Sequence, residues 1–387
     1  MKKIFIIGLT GEGKKGAYEK QLGNMAILIP MIKFLKKFLP EYDIVTTIQL
    51  TEDFCKNFGI KCFYIERKWP KFESLRIFIC TAFDLCKVYL WYYIKKCFRV
   101  NFNFLLKGAK LEEFKEATLV LDFNGDIFPS DVKNPIRFLN QIAEIIILKK
   151  LGKTIIEFVS SPGPFKTFCS RVFSKIMYNN IDLILNREPI SSELLNELGI
   201  KKPIINTACP AFLLKPVNEN RVKEIFQKEE IDLNRKPLIG VTLCGYNLPS
   251  LRTWGKIKDF RDLRIYIPMI KYLLEELKAM VFLLPHVYRI NPYISSLEYI
   301  HGPDYEILMN LYKMCKGEEY EGCLKIIEGK YNAAEAKGII GYSDMFITGR
   351  LHAGVAALSQ RIPTVLIAYG HKHKGIAKMC GVERYVY

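Results

Sequence analysis

The chain has 387 residues, half of them hydrophobic and a quarter charged, which excludes disordered, collagen-like and low-complexity classes. Fifty-seven Lys and Arg against 40 Asp and Glu leave a formal charge of +17. A surplus of that size points to anionic partners, whether nucleic acid, a lipid surface or phosphorylated small molecules.

Met1-Lys2-Lys3 leads straight into an apolar run too short for the core of a signal peptide. Residues 3–8 predict a strand and 23–39 a helix with apolar residues at helical spacing. Strand-like runs follow at 43–48, 62–65, 118–122, 154–159, 183–186 and 204–208, with helices such as 134–151 and 189–198 between them. A charged stretch near 228–236 interrupts the alternation. It then restarts with a strand at 238–243, a helix at 263–278 and a strand at 281–285. Helices at 304–315, 333–340, 353–358 and 371–380 alternate with strands at 323–327, 345–348 and 364–368. The pattern predicts an α/β protein with two Rossmann-like domains facing across a cleft, residues 1–230 and 231–387.

Residues 56–115 stand apart, with 13 Lys and Arg against 5 Asp and Glu and 15 aromatic residues. Within them, 74–106 is long and apolar, but Asp84 and Lys87 near its middle would each cost about 2.5–3.5 kcal/mol in a bilayer core. At 100° per residue, Arg76, Thr81, Asp84, Lys87, Lys95 and Arg99 share one face and the rest is apolar and aromatic. That pattern suits a helix lying in an anionic membrane interface, and equally one packed on its own domain with lysine stems running outward. The eleven cysteines, from Cys55 to Cys380, include no CxxC pair. They read as small core residues of a reduced, cytoplasmic protein, with no spacing suited to zinc.

Ligands of open α/β sheets bind at the carboxyl ends of the strands, so the chemistry is sought there. After the strand ending at Thr348, Gly349 permits a tight turn, and Arg350 and His352 occupy the loop and the first turn of a helix. Backbone N–H groups at a helix start favour an anion, arginine offers a planar fork for phosphate or carboxylate, and histidine exchanges protons near neutral pH. His286 ends a strand and suits donor support or a second proton transfer, or simply caps the strand. His371 and His373 flank Lys372 in a basic loop, a setting for phosphate contact rather than metal. Asp126 lies in a turn where it would either activate an acceptor hydroxyl or cap the turn. His301-Gly302-Pro303-Asp304 reads as a turn before a helix, with no role in the site. Gly8–Gly16 lacks the spacing of a phosphate-binding P-loop and reads as a Gly/Lys loop over the cleft.

Ser343-Asp344, Gly349-Arg350-Leu351-His352-Ala353, Ile362-Pro363-Thr364 and Tyr369 followed by Lys372 together resemble the polysaccharide pyruvyl transferases. Ser161-Pro162-Gly163-Pro164-Phe165, Asn186-Arg187-Glu188 with Ser191, and Pro210-Ala211-Phe212 resemble further motifs of that family, in the same order. Cys209 replaces the family's Asp before that Pro-Ala-Phe run, and the opening loop reads Gly23-Asn24-Met25-Ala26-Ile27 without its Asp. The resemblance implies a GT-B-like fold and transfer of pyruvate from phosphoenolpyruvate to a sugar of a cell-surface polysaccharide or lipid-linked glycan precursor, with release of phosphate. It places Arg350, Arg187 and Lys372 on the donor's anionic groups, with Gly349, His286 and Asp126 also in the binding site, and His352 as the acid that protonates the methylene carbon. Phosphoenolpyruvate is then a co-substrate, with no cofactor or metal expected. The competing readings are a GT-B glycosyltransferase with a nucleotide-sugar donor and a non-enzymatic binder of anionic surfaces or nucleic acid. No repeated basic recognition element supports nucleic acid.

Overall fold

The first strand, β1 (Lys2–Gly8), is buried from Ile4 to Gly8 on both faces, as a central strand of a parallel sheet must be. The structure, a computed structural model, describes residues 2–8, 18–63, 73–123, 135–248, 260–291 and 298–387. The chain forms two compact units, one from residues 1–17 and 33–208, the other from 18–32 and 209–387. Helix α1 (Leu22–Phe38) therefore begins in the second unit and ends in the first.

In the first unit the chain continues through β2 (Tyr42–Thr46), α2 (Glu52–Asn57), β3 (Lys61–Cys62), α3 (Glu73–Phe98) and α4 (Ala109–Glu116). Then come β4 (Leu119–Phe123), α5 (Pro135–Lys150), β5 (Thr154–Ser160), α6 (Phe168–Asn179), β6 (Leu183–Asn186), α7 (Pro189–Glu197) and β7 (Ile204–Asn206). The seven strands form one sheet in the order β3-β2-β1-β4-β5-β6-β7, every pair parallel. Successive parallel strands need crossovers, and the intervening helices supply them. Val88 and Trp91 of α3 share a core with Phe114, Phe138, Ile142 and Ile145.

The second unit holds α8 (Glu219–Lys228), β8 (Leu238–Thr242), α9 (Ile267–Glu275), β9 (Met280–Leu283), β10 (Tyr288–Ile290), β11 (Tyr299–His301) and α10 (Pro303–Cys315). It closes with β12 (Leu324–Ile326), α11 (Ala333–Gly341), β13 (Met345–Thr348), α12 (Leu351–Leu358), β14 (Thr364–Leu366) and α13 (His371–Cys380). Its parallel sheet runs β12-β9-β8-β13-β14, and β10 and β11 pair as a small antiparallel ribbon that the hydrophobic pattern did not announce. Each face of the sheet has its own core. One joins α9 and α10 through Ile270, Leu273, Ile307 and Leu311; the other joins α8, α11 and α12 through Val222, Phe226, Ile339 and Ala357.

Two expectations change. The division falls after Ala208 rather than at residue 230, because Val222, Ile225 and Phe226 of α8 pack with Leu238, Phe282 and Phe346 of the second unit. The charged stretch that suggested a boundary is a helix-to-strand loop inside that unit. The cysteines are also not all reduced: Cys55 and Cys62 are joined by a disulfide, with Cα atoms 6.5 Å apart. The turn from α2 into β3 folds this pair together across a separation of seven residues, where no CxxC spacing would reveal it.

Candidate active site

In the second unit β9 and β12 extend from β8 in one direction, whereas β13 and β14 lie on its other side. The strand order thus reverses between β8 and β13, and the loops leaving their carboxyl ends frame the crevice where open α/β sheets bind ligands. Gly349 and Arg350 follow β13, and Leu243 to Asn247 follow β8. The two loops touch: a Cβ built on Gly349 would lie 1.8 Å from Asn247 Oδ1, so only glycine fits there. The Asn247 amide donates to the Ile367 carbonyl at 2.7 Å, and the Cys244 thiol lies 3.1 Å from Asn247 Oδ1 and 3.4 Å from the Gly349 carbonyl.

Arg350 is the N-cap residue of α12 and carries the main charge of this crevice. Its Nε donates to Asp304 Oδ2 at 3.0 Å and its Nη2 to Oδ1 at 2.5 Å. Asp304 is fully buried in the first turn of α10 and also accepts from the His286 backbone N–H at 3.3 Å. One carboxylate therefore ties together the loops after β9 and β13 and the start of α10. Burial opposes the Arg350 charge, but Asp304 outweighs it and keeps the guanidinium protonated. Two of the five guanidinium N–H donors face Asp304, on a side chain that keeps 19% of its surface exposed. The sequence reading gave Asp304 no role, and its only sequence signal is an acid at a helix start beside Pro303.

Of the other proposed residues of this unit, His286 lies close enough to Arg350 to feel its charge, as does Tyr369 of the motif. Burial, with the Arg350 charge added, pushes His286 down to about 3, so its imidazole is neutral at physiological pH. Tyr369 stacks on Tyr246 with ring centroids 4.9 Å apart and meets the fully buried His373 edge-on at 4.5 Å. Lys372, in the first turn of α13, holds its Nζ 5.2 Å from the Tyr369 ring centre. His352, half buried in the first turn of α12, packs on Gly23 of α1: a Cβ on Gly23 would lie 2.4 Å from His352 Nδ1. The Gly-Asn opening of α1 thus serves as a backbone platform for this histidine.

Other motif residues are structural. The Asp344 carboxylate accepts from the Leu238 N–H at 2.7 Å and pairs with Lys236, pinning the start of β13 beside β8. Lys337 of α11 donates to the Ala211 and Phe212 carbonyls, both at 3.2 Å, and burial pushes its ammonium down to about 8. This lysine holds the Pro-Ala-Phe run, and sequence reasoning missed it because an isolated lysine in an apolar helix carries no pattern.

Arg187 belongs to the first unit. It is 2% exposed, its Nε donates to Ser161 Oγ at 2.7 Å, and the adjacent Glu188 caps α7 by accepting from the Ser191 N–H. The structure therefore ties Arg187 to the Ser-Pro-Gly-Pro loop. Asp126 and residues 9–16 of the Gly/Lys loop lie outside the described residues. Nearby, Asp122 and Glu157 are cross-strand partners on β4 and β5, both fully buried, with the Gln141 amide donating to Asp122 at 3.1 Å. Burial, and then the Asp122 charge, raise Glu157 well above its ordinary value of 4.5. The native state then binds more protons than the unfolded chain above that value, so stability falls as pH rises through the raised native value. Glu157→Gln is expected to melt higher than wild type at about pH 8 and to lose most of that advantage at about pH 5, as thermal unfolding at the two pH values would show.

Fold and site together define an α/β protein with a buried Arg350–Asp304 pair at a strand-order reversal of its second sheet. The chain belongs to the polysaccharide pyruvyl transferase family, which it matches over residues 22–371, and is accordingly a transferase enzyme that modifies polysaccharide. No curated protein matches its sequence. Among solved structures it is similar to the UDP-GlcNAc 2-epimerase of Neisseria meningitidis bound to UDP-GlcNAc. That match has 11% identity and a TM-score of 0.56, over all of this chain and 86% of the other. The UDP-GlcNAc 2-epimerase of Methanocaldococcus jannaschii matches at 13% identity and TM-score 0.55, over 95% of this chain and 84% of that one. A glycosyltransferase of Rickettsia africae matches at 11% identity and TM-score 0.51, over 95% and 79%. At these identities the likeness concerns the fold, which is of the GT-B type with two Rossmann-like units.

Proposed function

We propose that this transferase moves a pyruvyl group from phosphoenolpyruvate to two hydroxyls of a sugar in a polysaccharide or its glycan precursor. The observation that carries the reading is the Arg350 fork at the start of α12, two residues before His352 and held in one orientation by the fully buried Asp304 of α10. Phosphoenolpyruvate bears a carboxylate and a phosphate, and each charge-assisted bond to such a group contributes about 1.5–3 kcal/mol. The remaining Arg350 donors and Lys372 hold those groups. His352 protonates the methylene carbon, which leaves a cationic centre at the adjacent carbon. One sugar hydroxyl adds there and its proton resets the histidine; the C–O bond to phosphate breaks, and the second hydroxyl closes the ketal. One hydroxyl proton thus ends on the new methyl group and the other leaves with phosphate. A positioned proton donor of this kind is worth about 10²–10⁴-fold in rate.

Calorimetric titration with phosphoenolpyruvate and, separately, with UDP-sugars tests the assignment. Saturable binding of phosphoenolpyruvate is expected, reduced at least tenfold in Arg350→Lys, which keeps the charge but not the fork. Binding of a UDP-sugar with none of phosphoenolpyruvate would instead make the protein a glycosyltransferase.

A further inference from the structure

Helix α3 has two unlike faces. Thr81, Val88 and Trp91 are buried in the first unit, the latter two in the core that includes Leu106 and Phe114. Ile79, Phe83, Cys86, Leu90, Tyr93 and Cys97 are exposed, and their spacing of 4-3-4-3-4 residues draws one stripe along the helix. Phe83 alone is 61% exposed. The stripe covers about 27 Å at 1.5 Å per residue. Helical periodicity puts Thr81 on one polar face with Asp84, Lys87 and Lys95; here Thr81 is buried and an apolar stripe is turned outward.

The cations are arranged to match. Lys95, Lys96 and Arg99 are exposed at the end of the stripe, followed by exposed Phe98, Val100, Phe102 and Phe104. Among the described side chains of α3 the sole carboxylate is Asp84, already 3.7 Å from Lys87. Among the described side chains, a second copy of the helix would offer these cations only that already paired Asp84. Residues 77–98 are long and apolar enough to cross a membrane, but doing so would withdraw Val88 and Trp91 from the core. An apolar stripe ending in cations and aromatic rings, with its other side anchored in protein, is complementary to the surface layer of an anionic bilayer.

We infer that the outer face of α3 docks the enzyme on anionic lipid, with the helix lying in the plane of the interface. The inference is independent of the donor assignment, because vesicle binding is measured without substrate. The full chain is sedimented with phosphatidylcholine vesicles, with and without phosphatidylglycerol, at low and high salt. Binding that needs phosphatidylglycerol and weakens with salt is expected. Phe83→Gln with Leu90→Gln should lower partitioning at least tenfold, and each of Lys95→Gln, Lys96→Gln and Arg99→Gln by about fivefold. All these side chains are exposed, so unchanged thermal unfolding confirms that the fold is kept. Absence of vesicle binding, or partitioning unaffected by both sets of changes, overturns the inference. So does a dimer in sedimentation velocity that Phe83→Gln with Leu90→Gln dissociates, since a second copy would then cover the stripe.

Discussion

Replacing both Arg350 and Asp304 by alanine is expected to restore most of the stability that Arg350→Ala alone loses, while leaving pyruvyl transfer as slow as in Arg350→Ala. Arg350→Ala by itself strands the fully buried Asp304 carboxylate without its bidentate partner. Removing one member of a buried pair costs about 3–5 kcal/mol, whereas removing both spares most of that penalty. Activity does not follow the same arithmetic. On the proposed assignment, losing two charge-assisted bonds to the donor is expected to lower kcat/KM by roughly 10²–10⁴-fold in Arg350→Ala and in the double variant alike. Urea unfolding and phosphate-release kinetics on the two single variants and the double variant separate these effects. A double variant as unstable as Arg350→Ala would show that Asp304 is not the group left stranded; retained turnover would remove Arg350 from the site.

Gly23→Ala is expected to lower kcat by about 10²-fold, the cost of misplacing a reacting group by roughly 1 Å, with little loss of stability. Helix interiors ordinarily favour alanine over glycine by up to about 1 kcal/mol, so the backbone of α1 offers no objection. The objection is steric and local, because the new Cβ would occupy the space of His352 Nδ1, 2.4 Å away. The imidazole must shift, and a proton donor out of line with the methylene carbon loses its contribution to the rate. If the shift disturbs proton transfer alone, KM for phosphoenolpyruvate stays near the wild-type value while kcat falls. A parallel rise in KM would instead place His352 on the donor's anionic groups.

The elements that the sequence located most clearly are those with a strong local signal. β13, α12, β14 and α13 lie where the periodicity and the Gly-Arg-Leu-His run put them, and the motif pattern named the family before any contact was known. Helix α9 was the weaker case: a short 3-10 turn over Arg261–Tyr266 precedes it, and Pro268 sits in its first turn, so the helix begins at Ile267 rather than 263. Periodicity reads both stretches as one helix because their apolar residues face the same core.

The α/β class, the alternation of strands and helices, the family, and the place of Arg350 and His352 after a strand are all legible in the chain. Each of these is written in neighbouring residues, where spacing reports burial directly. The tertiary structure decided what those residues meet. Asp304 reaches Arg350 across 46 residues because β8, β9 and β13 end side by side. Gly23 becomes the floor under His352 only because the start of α1 belongs to the second unit. The outward turn of α3 follows from which of its sides found the core beside α5. Such pairings are set by strand order and packing between distant segments, and no local pattern carries that information.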